Sequence, residues 1–180
     1  MMYTDYLETP LGTVEIKASQ KGITQVIFSG TEKSTIKSSK ITDDCKKQLK
    51  EYFEGKRKTF DLPLNPQGTA FQKSIWASLE KIPFGRVLSY RDIADMISNR
   101  KAVRAVGAAN GRNPIGIIIP CHRVIGSDGS LTGYAGGIER KLWLLKHEGI
   151  DVKKLKIHDK LDIKNVMHTR QSKTQYLRNP

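Results

Sequence analysis

The sequence predicts two domains of different class: an α/β domain first, then a mostly helical domain carrying a helix-turn-helix. Three observations lead there. Strand-like alternation fills the chain up to about residue 30, prolines and a glycine cluster in FDLPLNPQG, and apolar residues recur at helical spacing from Phe71 onward.

Taken in order, YTDYLET, TVEIKAS and ITQVIFSG read as strands separated by TPLG and QKG turns. After the polar stretch TEKSTIKSSK, a helix is expected to start near Thr42-Asp43-Asp44, where aspartate oxygens can accept from the free N–H groups of a first turn. It runs to about Phe53 and stops at Glu54-Gly55. FDLPLNPQG reads as a last strand plus linker, which divides the chain into 1–64, 65–150 and a basic extension, 151–180. In the second domain Phe71, Ile75, Trp76 and Leu79 fall on one helix face, and IPFG ends that helix. A short VLS strand leads into YRDIADMISN, with Ile93, Met96 and Ile97 on one side. KAVRAVGAANG follows, and the pair makes the helix-turn-helix. The run IGIIIP suits a buried strand or extended segment that ends at Pro120-Cys121-His122-Arg123, and IERKLWLLKHEG is a final helix closed by Gly149.

Composition narrows the class. With 38% hydrophobic and 27% charged residues over 180 positions, the chain reads as a soluble globular protein. It has no apolar run of the ~18 residues that suggest a membrane span. MMYTDYLETP lacks the basic and apolar regions of a secretory signal, so the expected location is cytoplasmic, or nuclear in a eukaryote. Two cysteines, Cys45 and Cys121, make neither a disulfide framework nor a zinc site, and no metal or cofactor is expected. The net charge of +13 is unevenly spread: +2 over 1–67 (11 basic, 9 acidic), +6 over 68–150 (12 and 6) and +5 over 151–180 (8 and 3). A polyanionic partner should therefore be met by the last two thirds.

Cys45 lies in an amphipathic helix, DDCKKQLKEYFEG, and reads as packing. Cys121 differs. An apolar segment delivers it beside Pro120, His122 and Arg123, and thiolate formation is favoured by a nearby base or positive charge. Adjacent side chains often diverge, so the residues alone leave a nucleophile and a buried structural cysteine equally open.

The pentapeptide Pro120-Cys121-His122-Arg123-Val124 resembles the active-site signature of the O6-alkylguanine-DNA alkyltransferases. Further blocks resemble the family in the same order: GTAFQ at 68–72, GRVLSY at 85–90, RAVG at 104–107, RNP at 112–114, GYAGG at 133–137 and LLKHEG at 144–149. The resemblance is close over 68–150, looser over 1–67 and stops near Ile150. It implies a ribonuclease-H-like fold for the N-terminal domain.

It also implies a function: irreversible, single-turnover transfer of an alkyl group from O6 of guanine, with O4-alkylthymine a second possible substrate, to Cys121. By the same resemblance His122 deprotonates the thiol through a water and Glu148 orients His122, the logic of a nucleophile–base–orienter triad. Tyr90 would aim its hydroxyl at the ring N3 of the leaving guanine. The pocket would be built from Val124, Tyr134, Ala135 and Gly136, with Asn113 bracing the turn ahead of the active-site segment. Many relatives carry serine where this chain has Ala135, but a backbone donor survives that change.

O6 of a paired guanine is inside the stack, so the base must rotate out. The small-faced helix with Ala102, Gly107 and Ala108 suits close approach to a minor groove, with Arg104 matching the family's arginine finger. Lys101, Arg112 and Arg123 complete the expected contacts to double-stranded DNA, made without regard to sequence and by a monomer. The alternative is a non-catalytic alkylated-DNA-binding module of the same fold, which the presence of Cys121 argues against. A transcription regulator and a cysteine hydrolase lack, respectively, an effector module and an oxyanion hole in this sequence.

Overall fold

The computed structural model describes residues 1–153, so the extension expected at 151–180 lies outside the described residues except for Asp151–Lys153. The chain divides into two compact units: Met1–Thr69 with Pro114–Ile118, and Ala70–Asn113 with the chain from Ile119.

In the first unit β1 (Tyr3–Thr9), β2 (Gly12–Ala18) and β3 (Ile23–Phe28) form an antiparallel sheet in sequence order. Alternation buries Val14, Ile16 and Ala18 on one face, against which α1 (Lys40–Phe53) sets Cys45, Leu49 and Tyr52. This helix starts earlier than the aspartates suggest. Ser39 is the N-cap, its hydroxyl accepting from the Thr42 N–H while the Thr42 hydroxyl accepts from the Ser39 N–H. Asp43 instead sits in the first turn, where the helix dipole favours an acid.

FDLPLNPQG makes no full strand. It bridges β3 once, between Leu64 and Ile23, because its prolines have no N–H to give a ladder. The approach is close: a Cβ on Gly22 would stand 2.6 Å from the Pro63 carbonyl oxygen, so only glycine fits.

The run IGIIIP is likewise not a strand. Ile115 bridges Val26, the Gly116 N–H donates to the Val26 carbonyl at 2.9 Å, and Ile117 then turns the chain at φ 70°. That left-handed conformation costs a β-branched residue about 1–2 kcal/mol, offset by burying Ile117 and its neighbours. These bonds place Pro114–Ile118 with the first unit rather than the second, where the sequence reading had them.

The second unit holds α2 (Ala70–Leu79), α3 (Tyr90–Met96), α4 (Val103–Gly111) and α5 (Ile138–His147), with β4 (Leu88–Ser89) parallel to β5 (Val124–Ile125). Ile75, Trp76 and Leu79 are buried as expected of one face of α2, whereas Phe71, at the open end of the helix, is 36% exposed. The Trp76 indole donates to the Ala109 carbonyl at 2.9 Å, tying α2 to α4. Ser89 and Asp92 form a capping box on α3. Ile93 is fully buried while Met96 and Ile97 are half-buried. No helix among the described residues is long and apolar enough to cross a membrane.

Candidate active site

Cys121, His122 and Arg123 form a single 3-10 turn between the buried Ile119-Pro120 and β5, and all three are buried. Such a turn sends successive side chains in different directions, which lets neighbours in sequence take separate roles. His122 Nε2 lies 2.6 Å from Glu148 Oε2 at the C-terminal end of α5. The carboxylate also accepts from Arg123 Nε at 2.8 Å, Arg123 Nη2 at 3.1 Å and the Gly85 N–H at 3.1 Å. Gly85 is held at φ 75°, and a Cβ there would be 3.1 Å from the Glu148 carbonyl oxygen.

Electrostatics fix the proton positions. Burial works against ionised Glu148, but the hydrogen bond from His122 and the charges around it hold the carboxyl well below the usual carboxylate range. Burial pulls His122 below its ordinary value despite Glu148, so the imidazole is neutral near pH 7. With ionised Glu148 able only to accept, Nε2 carries the hydrogen and Nδ1 holds the free lone pair. Among the described residues Nδ1 is buried with no hydrogen-bond partner, as a base awaiting a proton should be.

Burial pushes the Cys121 thiol up, partly opposed by a hydrogen bond from Asn113 and the charge of Lys141. It rests as a thiol and needs a base. Burial likewise pushes the Tyr134 phenol up. The Tyr90 phenol is raised by burial and partly brought back by its hydrogen bond to the Thr132 carbonyl, 3.0 Å away.

Two family models match: "6-O-methylguanine DNA methyltransferase, ribonuclease-like domain" over residues 2–66 and "6-O-methylguanine DNA methyltransferase, DNA binding domain" over 70–150. The methylated-DNA–protein-cysteine methyltransferase of Methanosarcina barkeri is 48% identical over 153 residues, 82% of this chain and 97% of that protein. The chain belongs to the 6-O-methylguanine DNA methyltransferase family. The constitutive methylated-DNA–protein-cysteine methyltransferase of Bacillus subtilis is 45% identical over 163 residues, 85% of this chain and 99% of its own. The crystal structure of Mycobacterium tuberculosis O6-methylguanine methyltransferase superposes with a TM-score of 0.75 at 39% identity, covering 82% of this chain and 93% of that one. The same organism's protein in complex with DNA superposes at 0.73 and 39%, covering 86% and 98%.

Within this methyltransferase fold, Cys121, His122, Glu148, Asn113, Tyr90 and Val124 are brought together. Asn113 donates from Nδ2 to the Ile119 carbonyl at 2.8 Å, joining the end of α4 to the segment that re-enters the unit. Tyr134, Ala135 and Gly136 lie in the loop before α5, Ala135 exposed and the other two half-buried. Lys101, Arg104, Ala108 and Arg112 are exposed on or beside α4, and Ala102 and Gly107 are half-buried.

Arg123 departs from the expectation that it faces DNA. Its guanidinium is turned inward onto Glu148 and the Ile82 carbonyl, 2.6 Å from Nη1, and the residue is 6% exposed. An arginine so enclosed has three of its five N–H donors turned onto internal acceptors and little surface to offer a phosphate.

Sequence reasoning missed Lys141. It is fully buried, donating from Nζ to the Val124 carbonyl at 2.6 Å and the Thr132 carbonyl at 3.1 Å, and burial draws its ammonium down to about 8. Thr132 thus receives both Lys141 and Tyr90, which pins the loop beside the thiol. A signal was available: Lys141, Leu144, Leu145 and Glu148 share one face of α5 at helical spacing, and a lysine on a core stripe needs buried acceptors. Among the described residues no group of three or more His, Cys, Asp or Glu is arranged to hold a metal ion.

Proposed function

We propose that this chain repairs DNA by direct reversal, moving the alkyl group of O6-alkylguanine onto Cys121 in a single irreversible turnover. The observation that carries the reading is the buried Cys121–His122–Glu148 arrangement, in which Glu148 leaves the lone pair of His122 Nδ1 as the base. The thiol proton passes to that nitrogen through a bridging water. Sγ attacks the alkyl carbon in line with the C–O6 bond, the thioether forms, and the bond's electron pair stays with the guanine. Tyr90 assists departure by donating its hydroxyl to N3 of the ring. A thioether has no hydrolysable leaving group, so each chain acts once.

The reading includes an N-terminal domain over 1–64 with a ribonuclease-H-like fold, an alkyltransferase domain over 65–150 and a basic extension over 151–180. In the second domain α3 and α4 act as a helix-turn-helix on the minor groove of double-stranded DNA, the protein acting as a monomer. Its support is the exposed surface on and beside α4 with Lys101, Arg104, Ala108 and Arg112, which joins small side chains to exposed cations. Arg104 fills the gap left by the extruded base, and contacts with phosphates carry no sequence preference.

Incubation with duplex containing O6-methylguanine, followed by intact-mass and peptide mapping, tests this. One added methyl per chain on the Cys121 peptide is expected. Repeated turnover, or label on Cys45, whose thiol burial pushes up to about 12, would overturn the reading. Cys121→Ser should bind alkylated DNA and transfer nothing.

A further inference from the structure

The loop from Thr132 to Gly137 runs beside the nucleophile. The Thr132 carbonyl receives the Tyr90 hydroxyl, and a Cβ on Gly133 would stand 3.5 Å from that hydroxyl. Lys141 joins Thr132 to the carbonyl of Val124, which follows the Cys121–Arg123 turn. The loop closes as a four-residue turn, the Gly137 N–H donating to the Tyr134 carbonyl at 2.9 Å. The other end of the same peptide is gripped as well: Arg140 Nη1 donates to the Gly136 carbonyl at 3.2 Å. A planar peptide held at both its N–H and its C=O has little freedom to rotate. Through the Tyr134 carbonyl that restraint passes to the preceding peptide, because the Ala135 N–H shares a plane with this carbonyl and points the opposite way.

Arg140 sits against local preference. It is the third residue of α5, where the positive end of the helix dipole disfavours a cation. The side chain is nonetheless half-buried, and its charge reaches the Tyr134 phenol. A residue that breaks a local rule points to a gain elsewhere. We infer that Arg140 is a positioning residue of the alkyl-transfer pocket, locking the 136–137 peptide so that the Ala135 N–H is aimed at O6 as negative charge develops there. It acts through the loop rather than on the base. The inference rests on the alkyl-transfer reading above, in which the electron pair of the broken bond stays with the guanine, and a donor fixed in advance at that oxygen favours the transition state.

The test measures single-turnover transfer from O6-methylguanine duplex over a range of duplex concentrations, for wild type and for Arg140→Met, which loses the charge and the donors. The saturating rate should fall about two- to ten-fold, the span of one hydrogen bond, with the half-saturating concentration unchanged. The Gly137 amide should exchange faster with solvent, followed by NMR, while the melting temperature holds because the helix loses an unfavourable cation. An unchanged saturating rate would overturn the inference. So would a higher half-saturating concentration alone, which would make Arg140 a DNA contact. A slower rate with Gly137 exchange unaltered would trace the effect to charge rather than to the loop, and a melting temperature lowered in step with the rate would make the arginine a structural residue; either overturns it too. Should the methionine variant fold poorly, Arg140→Gln carries the same comparison. Absence of transfer by wild type would instead sink the alkyl-transfer reading itself.

Discussion

At the scale of single residues, Arg123 and Lys141 show how burial reassigns a charge. Both carry the positive charge that suggests a polyanion, yet each spends it on an internal acceptor: Glu148 for Arg123, two carbonyls for Lys141. Removing one partner of a buried ion pair leaves the other uncompensated, at about 3–5 kcal/mol. Arg123→Ala should therefore lower stability by about that much while leaving the salt dependence of DNA binding unchanged. The effect also has a pH signature. Glu148 titrates below its ordinary 4.5, so its contribution to stability is complete above that value and is lost as pH falls through the folded-state value. Without the guanidinium the folded-state value rises and less of this acid-sensitive stability is available. Urea unfolding followed from neutral to acid pH should show a shallower acid loss from a lower plateau, and a wild-type curve would contradict the pairing.

At the scale of an element, α4 poses the question of why its surface is so small. Gly107 lies in the helix, and a Cβ added there would meet the Tyr90 ring at 3.9 Å, an ordinary contact. Nothing among the described residues requires glycine at this position, and alanine is the better helix former by about 1 kcal/mol. Gly107→Ala should thus hold or raise the melting temperature. If α4 enters a minor groove, the added methyl costs approach distance, and duplex affinity should fall while reaction with the free base O6-benzylguanine persists. An affinity equal to wild type would place DNA on another surface.

At the scale of the whole molecule, charge and chemistry are concentrated in the same stretch of chain. Residues 1–67 carry only +2, and the +6 of 68–150 accompanies every side chain of the proposed reaction. Extrusion of the base and transfer of the alkyl group are separate demands on this stretch, and they can be pulled apart by substrate. Arg104 is exposed on α4, whereas Cys121, His122 and Glu148 are buried. Arg104→Ala should slow repair of duplex far more than reaction with free O6-benzylguanine, which needs no flipping. Equal slowing of both in single-turnover assays would make the arginine a structural residue instead.

Period and motif were enough to determine much of this protein. Alternation located the three strands, and the 3.6-residue period located α2 and α3. The ordered blocks around Pro120–Val124 named Cys121, His122, Glu148, Asn113 and Tyr90 before any geometry was known. These signals are local, or linear in the chain, which is why they can be read without coordinates. What the tertiary structure decided depends on which groups meet across distant segments. A run of isoleucines looks like a strand until Ile117 turns left-handed within a buried segment, and a helix N-cap looks like aspartate until Ser39 and Thr42 close on each other. Arg123 looks solvated until Glu148 arrives from 25 residues away. Asn110 and Lys141 carry no motif, and only the carbonyls of Cys121, Val124 and Thr132 give them a purpose. Burying a polar group is favourable only with a partner, and that partner is supplied by the fold rather than by the neighbouring residues.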